Sequence, residues 1–286
     1  MTSTEESPSS QWVANGYSRD VWKILEYNLH TKLAFKTIRY AQRMDRLHVE
    51  RHRKDAVAQE VLTSSPYIAN IYGFCVHSTL HDFSDSGDLW YNVKQKGLPT
   101  KEERLKIAYR LAASVADAHH FDEHGRATMV HTDIKPQQWI MINGEYQLND
   151  FNRNEFLSWN TERNTTNKFR NSANLGKWRS PEEYSYEDEN EKIDVWSLGL
   201  VLFFLLTGEE PFQELLDMDA LMTLVKQQGK YPHFRTKSRL RSKHPFDVAM
   251  LKAMAICFIK DPDERANAQQ VKEVFGKVLY PPETTT

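Results

Sequence analysis

The segments His131-Thr132-Asp133-Ile134-Lys135-Pro136 and Asn149-Asp150-Phe151-Asn152 decide the fold of this chain. Their aspartates, Asp133 and Asp150, stand 17 positions apart, which is enough chain for a short loop, a two-stranded turn and a return to the same cleft. One carboxylate could then face a reacting hydroxyl while the other binds a divalent cation. Each motif alone arises by chance in many chains, so the interpretation depends on their order and on further matches.

The composition argues against several classes of function. The 286 residues include 37 Lys and Arg against 39 Asp and Glu, a net charge of −2, so no general attraction to nucleic acid or to an anionic membrane is expected. Only two cysteines are present, which indicates a reducing, cytoplasmic setting. The longest apolar run, residues 198–206, is about half as long as a membrane span and predicts a buried helix. The chain could still be the intracellular domain of a receptor.

The first part of the chain has the pattern of a small sheet with one helix. Alternating residues between 20 and 40 predict a hairpin followed by a strand, and the charged residues 41–62 predict a helix. Residues 68–76 and 79–83 predict two further strands. The polar, turn-rich residues 82–87 mark the boundary between two lobes.

Beyond that connector the apolar spacing becomes helical. We therefore expect an α+β fold with a disordered tail over residues 1–11, a strand-rich lobe over 12–84, a helical lobe over 85–280 and a second tail over 281–286. The predicted helices of the second lobe cover residues 103–121, 193–206, 246–258 and 267–279.

Further motifs lie on both sides of the two aspartates. Residues 14–21 form a polar, turn-prone segment with Gly16 as its one glycine, and the following strand carries Lys36 after Leu33, Ala34 and Phe35. The downstream motifs are GKWRSPE at residues 176–182, DVWSLG at residues 194–199 and DPDER at residues 261–265.

In this order and spacing the motifs resemble those of the eukaryotic-type protein kinase catalytic domain, over residues 13–279. The chain looks most similar to the tyrosine-kinase-like Ser/Thr kinases, in a divergent form that resembles kinases of algae and protists. The resemblance implies a two-lobed fold, with an antiparallel-sheet N-lobe containing one main helix and a larger helical C-lobe. It also implies transfer of the γ-phosphoryl group of ATP to Ser or Thr hydroxyls of a protein substrate, with Mg²⁺ or Mn²⁺.

The resemblance assigns catalytic roles to three residues. Asp133 would orient the substrate hydroxyl and accept its proton, and Lys135 would stabilise the transferring phosphoryl group. Lys36 would pair with the nucleotide phosphates. Its own partner would be a carboxylate of the following helix, either Asp55 or Glu60, and the distance to the next proline-containing turn favours Asp55.

A nucleotide site is implied between the lobes. Gly16 would let phosphate oxygens approach the loop backbone, although the family pattern GxGxxGxV has three glycines here. The adenine would lie against the connector, below Val21 and Ala34 and above Ile140, with His81 behind it. The full set implied for ATP is Gly16, Val21, Ala34, Lys36, Asp82, Ser84, Ile140 and Asp150.

Asp150 and Gln138 are the implied metal ligands. Gln138 replaces the asparagine usual in the family, and it retains the amide oxygen but adds a methylene group. Thr132 replaces an arginine that normally binds a phosphorylated activation segment, so control by phosphates at Thr165, Thr166 or Ser172 is expected to be weak. Asn152 replaces a glycine, which is tolerable because asparagine enters left-handed backbone conformations readily.

The resemblance also predicts two buried contacts that hold the C-lobe together. Glu182 should form an ion pair with Arg265. Asp194 should accept hydrogen bonds from the backbone of the loop that carries Asp133, since an unpaired buried carboxylate is too costly.

Several alternatives stay open at this point. The missing glycines and Gln138 would fit a pseudokinase that serves as a binding or scaffold module, and a small-molecule kinase of related fold is a third possibility. The histidines at 119, 120, 124 and 131 suggest a zinc site, but no cysteine or paired carboxylate completes a ligand set. The basic residues between 39 and 54 are interspersed with acidic ones, which favours a solvated helix face over a nucleic-acid surface.

Overall fold

A computed structural model describes most of the chain and shows an antiparallel sheet with one helix, followed by a mainly helical lobe. This architecture confirms the predicted α+β, two-lobed fold. Among the predicted features, residues 1–9 and 282–286 of the two tails, residues 17 and 18 of the glycine segment, His124 and Ser172 lie outside the described residues. The structure describes residues 10–16, 19–26, 31–39, 45–122, 126–171, 176–215, 217–234 and 241–281.

The N-lobe is a five-stranded antiparallel sheet in the order β1-β2-β3-β5-β4. Strand β3 lies between β2 and β5, so Lys36 pairs with Val21 on one side and with Thr79 on the other. β1 begins inside the tail predicted over residues 1–11, because Ser10 pairs with Ile24 of β2. The elements of this lobe are β1 (Ser10–Asn15), β2 (Arg19–Glu26), β3 (Thr31–Ile38), α1 (Arg46–Val61), β4 (Ile71–Cys75) and β5 (Ser78–Asp82).

The strand predicted over residues 68–76 is shorter than expected and begins at Ile71. Asn70 still binds Asp82 of β5, but residues 67–69 pair with the other lobe. The Ala69 amide donates to the Leu148 carbonyl at 2.9 Å, and the Leu148 amide donates to the Tyr67 carbonyl at 2.9 Å. These two hydrogen bonds connect the N-lobe to the strand that leads to Asp150.

The C-lobe consists of short strand pairs and a set of packed helices. Its strands are β6 (Met129–Val130), β7 (Trp139–Ile142), β8 (Glu145–Leu148), β9 (Glu155–Phe156), β10 (Trp159–Asn160) and β11 (Thr165–Thr166). Its helices are α2 (Leu89–Lys96), α3 (Lys101–His119), α4 (Pro181–Ser185), α5 (Lys192–Thr207), α6 (Met218–Gln228), α7 (Pro245–Cys257) and α8 (Ala268–Leu279), with a 3-10 turn at Pro136–Gln138.

Helix α5 is the centre of the C-lobe. All residues from Ile193 to Leu206 are buried, as the apolar run predicted. Gly199 lets α7 pack closely, since a Cβ at this position would lie 2.7 Å from the Cys257 Cβ. Among the residues whose structure is described, no helix is both long and apolar enough to cross a membrane.

A buried ion pair joins α4 to the segment before α8, as the sequence predicted. Arg265 donates to both Glu182 carboxylate oxygens, at 2.5 and 3.1 Å, and both side chains are almost completely buried. The remaining donors of Arg265 bind backbone carbonyls, including those of Lys192 and Ile259. The guanidinium group is thus fully engaged, so removal of its one carboxylate partner leaves a buried charge without compensation.

Replacing Glu182 with Gln should therefore lower the free energy of unfolding by about 3 to 5 kcal/mol. The matched control is Asp188→Asn, which removes a pair with Arg170 of the same 2.5 Å contact distance but with both side chains more than half exposed. That change should cost less than about 1 kcal/mol. Urea unfolding of wild type and both variants measures the difference, and equal losses would contradict a special role of the buried pair.

Candidate active site

The structure brings the predicted phosphate-side residues together in one cleft of about 580 Å³. Lys36 enters it from β3, and Gly16 and Val21 enter it from the β1–β2 segment. From the C-lobe come Asp133 and Lys135 on the loop between β6 and β7, and Asp150 on the segment after β8.

Cations outnumber anions in this cleft. Its lining includes five arginine and lysine side chains but only two carboxylates, Asp133 and Asp150. An excess of positive charge in a cleft attracts anions and raises their local concentration. The cleft therefore favours a polyanionic ligand. The cations are Arg19, Lys36, Arg51, Lys135 and Arg153.

Asp133 is held ionised by the charges around it. Its Oδ1 accepts from Arg179 Nη2 at 2.5 Å, and its Oδ2 accepts from Lys135 Nζ at 2.7 Å and from Gln138 Nε2 at 2.9 Å. Burial would raise the pKa of Asp133, but the charges of Arg179 and Lys135 outweigh burial and lower this pKa to about 2.

The loop that carries Asp133 is fixed by a buried carboxylate from α5, as predicted. Asp194 accepts from the backbone amides of His131 and Thr132, at 2.6 and 2.9 Å, and lies 3.0 Å from His119 Nε2. Thr132 has a φ of 62°, which is strained for a β-branched residue. The hydrogen bonds to Asp194 compensate for this strain and set the direction in which Asp133 leaves the loop.

Asp150 lies in a different electrostatic environment from Asp133. Burial and the neighbouring Asp55 carboxylate raise the pKa of Asp150, and the charge of Lys36 opposes them. Phe151 is fully buried with its ring 4.7 Å from the ring of His131, which anchors the segment to the catalytic loop. The left-handed conformation expected at Asn152 belongs to Asp150 instead, with a φ of 65°, while Asn152 donates to Asp150 Oδ1 at 2.6 Å.

The donors at the predicted metal site fit a hard divalent cation. Asp150 lines the cleft and supplies a carboxylate. Gln138 is buried and is not among the residues that line the cleft; its amide nitrogen binds Asp133, and its amide oxygen is of the ligand type that a hard cation prefers. Over the described part of the chain no group of three His, Cys, Asp or Glu side chains could hold a metal by itself, and this includes the histidines at 119, 120 and 131. A magnesium ion here would therefore need phosphate oxygens to complete its ligand set.

Neither predicted carboxylate, Asp55 or Glu60, is in direct contact with Lys36. Its Nζ donates to Asn149 Oδ1 at 3.0 Å. Asp55 is fully buried on α1 and forms its ion pair with Arg19, at 2.5 Å, and Glu60 is exposed to solvent. Burial lowers the pKa of Lys36, and the nearby carboxylates of Asp55 and Asp150 partly oppose this shift.

Of the residues predicted for the adenine, Val21 lines this cleft, whereas Ala34, Asp82, Ser84 and Ile140 do not. Ala34 is buried in β3, and Ile140 lies on β7. The Asp82 side chain accepts from the hydroxyl of Tyr72 at 2.7 Å and from the Asn70 amide at 3.1 Å, and its own backbone amide donates to the Asn70 carbonyl at 3.2 Å. Ser84 is committed to a backbone carbonyl of the connector. The adenine site stays a prediction.

Three residues at the site were missed from the sequence. Arg179 belongs to a recognised motif, yet nothing in the motif indicates that its side chain reaches Asp133. Asn149 directly precedes Asp150, which is the one signal that it would enter the cleft. Arg19 occupies the position of the third glycine in the family pattern, and a long cation where a glycine is usual was the available signal.

A sheet lobe and a helical lobe with a lysine and two aspartates in the cleft between them define a protein kinase domain. The profile of the family described as "Protein kinase domain" matches residues 10–274, and the chain belongs to this family.

Three relatives that are named as protein kinases show the extent of the similarity. The chain is 28% identical over 196 residues to serine/threonine-protein kinase max-2 of Caenorhabditis elegans, covering 65% of this chain and 28% of the relative. It is 27% identical over 248 residues to mitogen-activated protein kinase kinase 1 of Arabidopsis thaliana, covering 82% and 65%. It is 22% identical over 220 residues to human mitogen-activated protein kinase kinase kinase 7, covering 75% and 33%. The match thus spans between about a quarter and two thirds of these relatives.

Glu183, which lies beside Arg179, should make the stability of the folded protein depend on pH. Burial raises the pKa of Glu183 from 4.5 to about 8, although Arg179 Nη1 lies 3.7 Å away. Between about pH 4.5 and 8 the folded protein therefore holds a proton that the unfolded chain has lost, so stability is highest at the low end and falls as pH rises.

Glu183→Gln should flatten this fall, because glutamine cannot ionise. The free energy of unfolding, measured from pH 5 to 9, should decline less steeply for this variant than for wild type. Glu187→Gln, an exposed neighbour, is the control and should keep the wild-type slope. A Glu183 variant whose slope also equals that of wild type would show that Glu183 is already ionised in the folded protein at neutral pH.

Proposed function

We propose that this domain is an active protein kinase that transfers the γ-phosphoryl group of ATP to Ser or Thr hydroxyls of a protein substrate. The observation that carries this proposal is the ionised Asp133 carboxylate beside Lys135, in one cationic cleft with Lys36 and Asp150. Lys135, two positions after Asp133, supports Ser/Thr specificity, and so does the name of the relative max-2.

Asp133 can still receive a substrate hydroxyl. A carboxylate can accept about four hydrogen bonds, and that of Asp133 accepts three here, so one site is left for the substrate. With a pKa of about 2 it is a weak base, so its main contribution is to orient the hydroxyl. It then takes the proton once attack on phosphorus has made the hydroxyl acidic. Lys135 provides a charge that stabilises the phosphoryl group during transfer.

Lys36 and Asp150 serve the nucleotide. Lys36 would bind phosphate oxygens, for which its Nζ needs only to exchange the contact with Asn149. A magnesium or manganese ion bound by Asp150 and Gln138 would neutralise phosphate charge and align the γ-phosphoryl group. Because Asp150 carries a raised pKa, a cation at this position also stabilises its ionised form.

The second candidate function is that of a pseudokinase, which binds partners and does not transfer phosphate. The specific observation in its favour is the Arg19 side chain, which lies in the cleft where the family has a glycine. The retained Lys36, Asp133, Lys135 and Asp150 oppose it.

We also propose a cytoplasmic setting, without a nucleic-acid ligand. Cys75 is exposed and Cys257 is buried, and both are free thiols, which supports a reducing compartment. The net charge of −2 supports the expectation about nucleic acid.

ATP binding should depend on a divalent metal. With a single glycine in the loop, few backbone amides can be approached closely by phosphate oxygens, so the metal must supply more of the phosphate interaction. In a thermal-shift titration, ATP with Mg²⁺ should raise the melting temperature more than ATP alone. Asp150→Asn should remove the metal-dependent part. Equal shifts with and without Mg²⁺ would contradict the metal site, and no shift at all would favour the pseudokinase.

Turnover should depend on Asp133 and Gln138. Asp133→Asn should reduce kcat by about 10²-fold or more while ATP binding stays nearly intact. Gln138→Ala should cost about 10- to 100-fold in activity or metal affinity, whereas Gln138→Asn should retain or improve it. The assay measures phosphate incorporation into a generic protein substrate. If wild type and all three variants give the same background rate, the domain does not transfer phosphate.

A further inference from the structure

Arg19 connects strand β2 to helix α1 through two hydrogen bonds. Its Nε donates to His52 Nδ1 at 2.7 Å, and its Nη1 donates to Asp55 Oδ2 at 2.5 Å. The two acceptors lie one turn apart on the same helix, and both are buried. Burial, followed by the charge of Arg19, lowers the pKa of His52 to about 4, so the imidazole is neutral and can accept this bond.

Asp55 extends this connection to the segment that carries Asp150. Its Oδ1 accepts from the Phe151 backbone amide at 2.8 Å and from Gln59 Nε2 at 2.8 Å. One carboxylate therefore links β2, α1 and the metal-binding segment. Asp55 is fully buried, and a buried carboxylate that loses its cation is strongly destabilising.

Lys36 forms no hydrogen bond or ion pair within this connection. Burial would raise the pKa of Asp55, and the charge of Arg19, followed by the more distant charge of Lys36, lowers it. In the kinase pattern the strand lysine itself pairs with a glutamate of the helix and thereby holds the helix in place. Here the helix carries the shorter aspartate, and Lys36 donates to Asn149. The longer Arg19 side chain reaches Asp55 from the neighbouring strand, which compensates for the methylene that aspartate lacks.

We propose that Arg19 is a positioning residue of this kinase: it holds helix α1 and, through Asp55, the Asp150 segment, so that Lys36 is released for the nucleotide phosphates. The release of Lys36 rests on the proposed kinase function. The holding of α1 and of the Asp150 segment does not, because it concerns contacts present without nucleotide.

Hydrogen exchange without nucleotide tests the holding role directly. Arg19→Gly should speed exchange in α1 and at the Phe151 amide by about tenfold or more, because the buried Asp55 loses the only cation in direct contact with it among the described residues. Lys36→Met should change both by less than about twofold. Exchange in α8, in the other lobe, should not change for either variant, which separates a local loss of position from general destabilisation.

Arg53→Ala is the matched control for loss of an arginine at α1. Arg53 pairs with Glu50 on the same helix, but both side chains are exposed, so its removal should have little effect. If Arg19→Gly does not fold, Arg19→Lys replaces it in the comparison. Lysine keeps the charge but has one nitrogen for two acceptors, so exchange should rise by several-fold. The proposal is overturned if Lys36→Met loosens α1 as much as the Arg19 variant does, or if the Arg19 variant behaves like Arg53→Ala.

A rescue experiment tests the consequence for catalysis. Arg19→Gly together with Asp55→Glu recreates the usual lysine and glutamate pair, so it should recover protection of α1 and most of the kcat that Arg19→Gly alone loses. An inactive wild type would refute the proposed function but leave the exchange result valid. An active wild type whose kcat is unaffected by Arg19→Gly would refute only the positioning role.

Discussion

The active-site loop of this kinase domain depends on one buried carboxylate. Asp194 stands at the start of a helix that is otherwise apolar and buried, where an unpaired charge would be prohibitively costly. The Asp194 carboxylate accepts hydrogen bonds from the backbone amides of His131 and Thr132 and contacts the His119 ring. Those bonds force the loop into a conformation with a positive φ at Thr132, and that conformation directs Asp133 toward the cleft. The deepest part of the C-lobe core thus determines where the reacting hydroxyl would be bound.

The neighbours of the two aspartates in the cleft shift their pKa values in opposite directions. Arg179 and Lys135 keep Asp133 ionised, whereas burial and a second carboxylate raise the pKa of Asp150. Pairs of titratable groups whose pKa values are moved apart are typical of sites with divided roles. These environments support the proposed roles, in which Asp133 orients a hydroxyl and Asp150 receives a cation. The excess of arginine and lysine around them complements a triphosphate.

Departures from the family pattern compensate for one another. An arginine in place of a loop glycine and an aspartate in place of the helix glutamate would each weaken the site if considered alone. Together they form a buried contact that also supports the Phe151 amide. Natural proteins break a local rule where another residue supplies the missing interaction, and this pair is consistent with that behaviour.

The sequence by itself determined the α+β fold, the two lobes, the buried helix α5, the Glu182–Arg265 pair and the acceptor role of Asp194. These follow from the periodicity of apolar residues and from motifs whose order is specific to one family. Only the tertiary structure decided that Lys36 binds Asn149, that Arg19 binds Asp55 and that Arg179 binds Asp133. The paired residues are 113, 36 and 46 positions apart. Long flexible side chains such as arginine can reach several carboxylates, and the choice among them is made by the distance between β2, α1 and the catalytic loop after the lobes have packed.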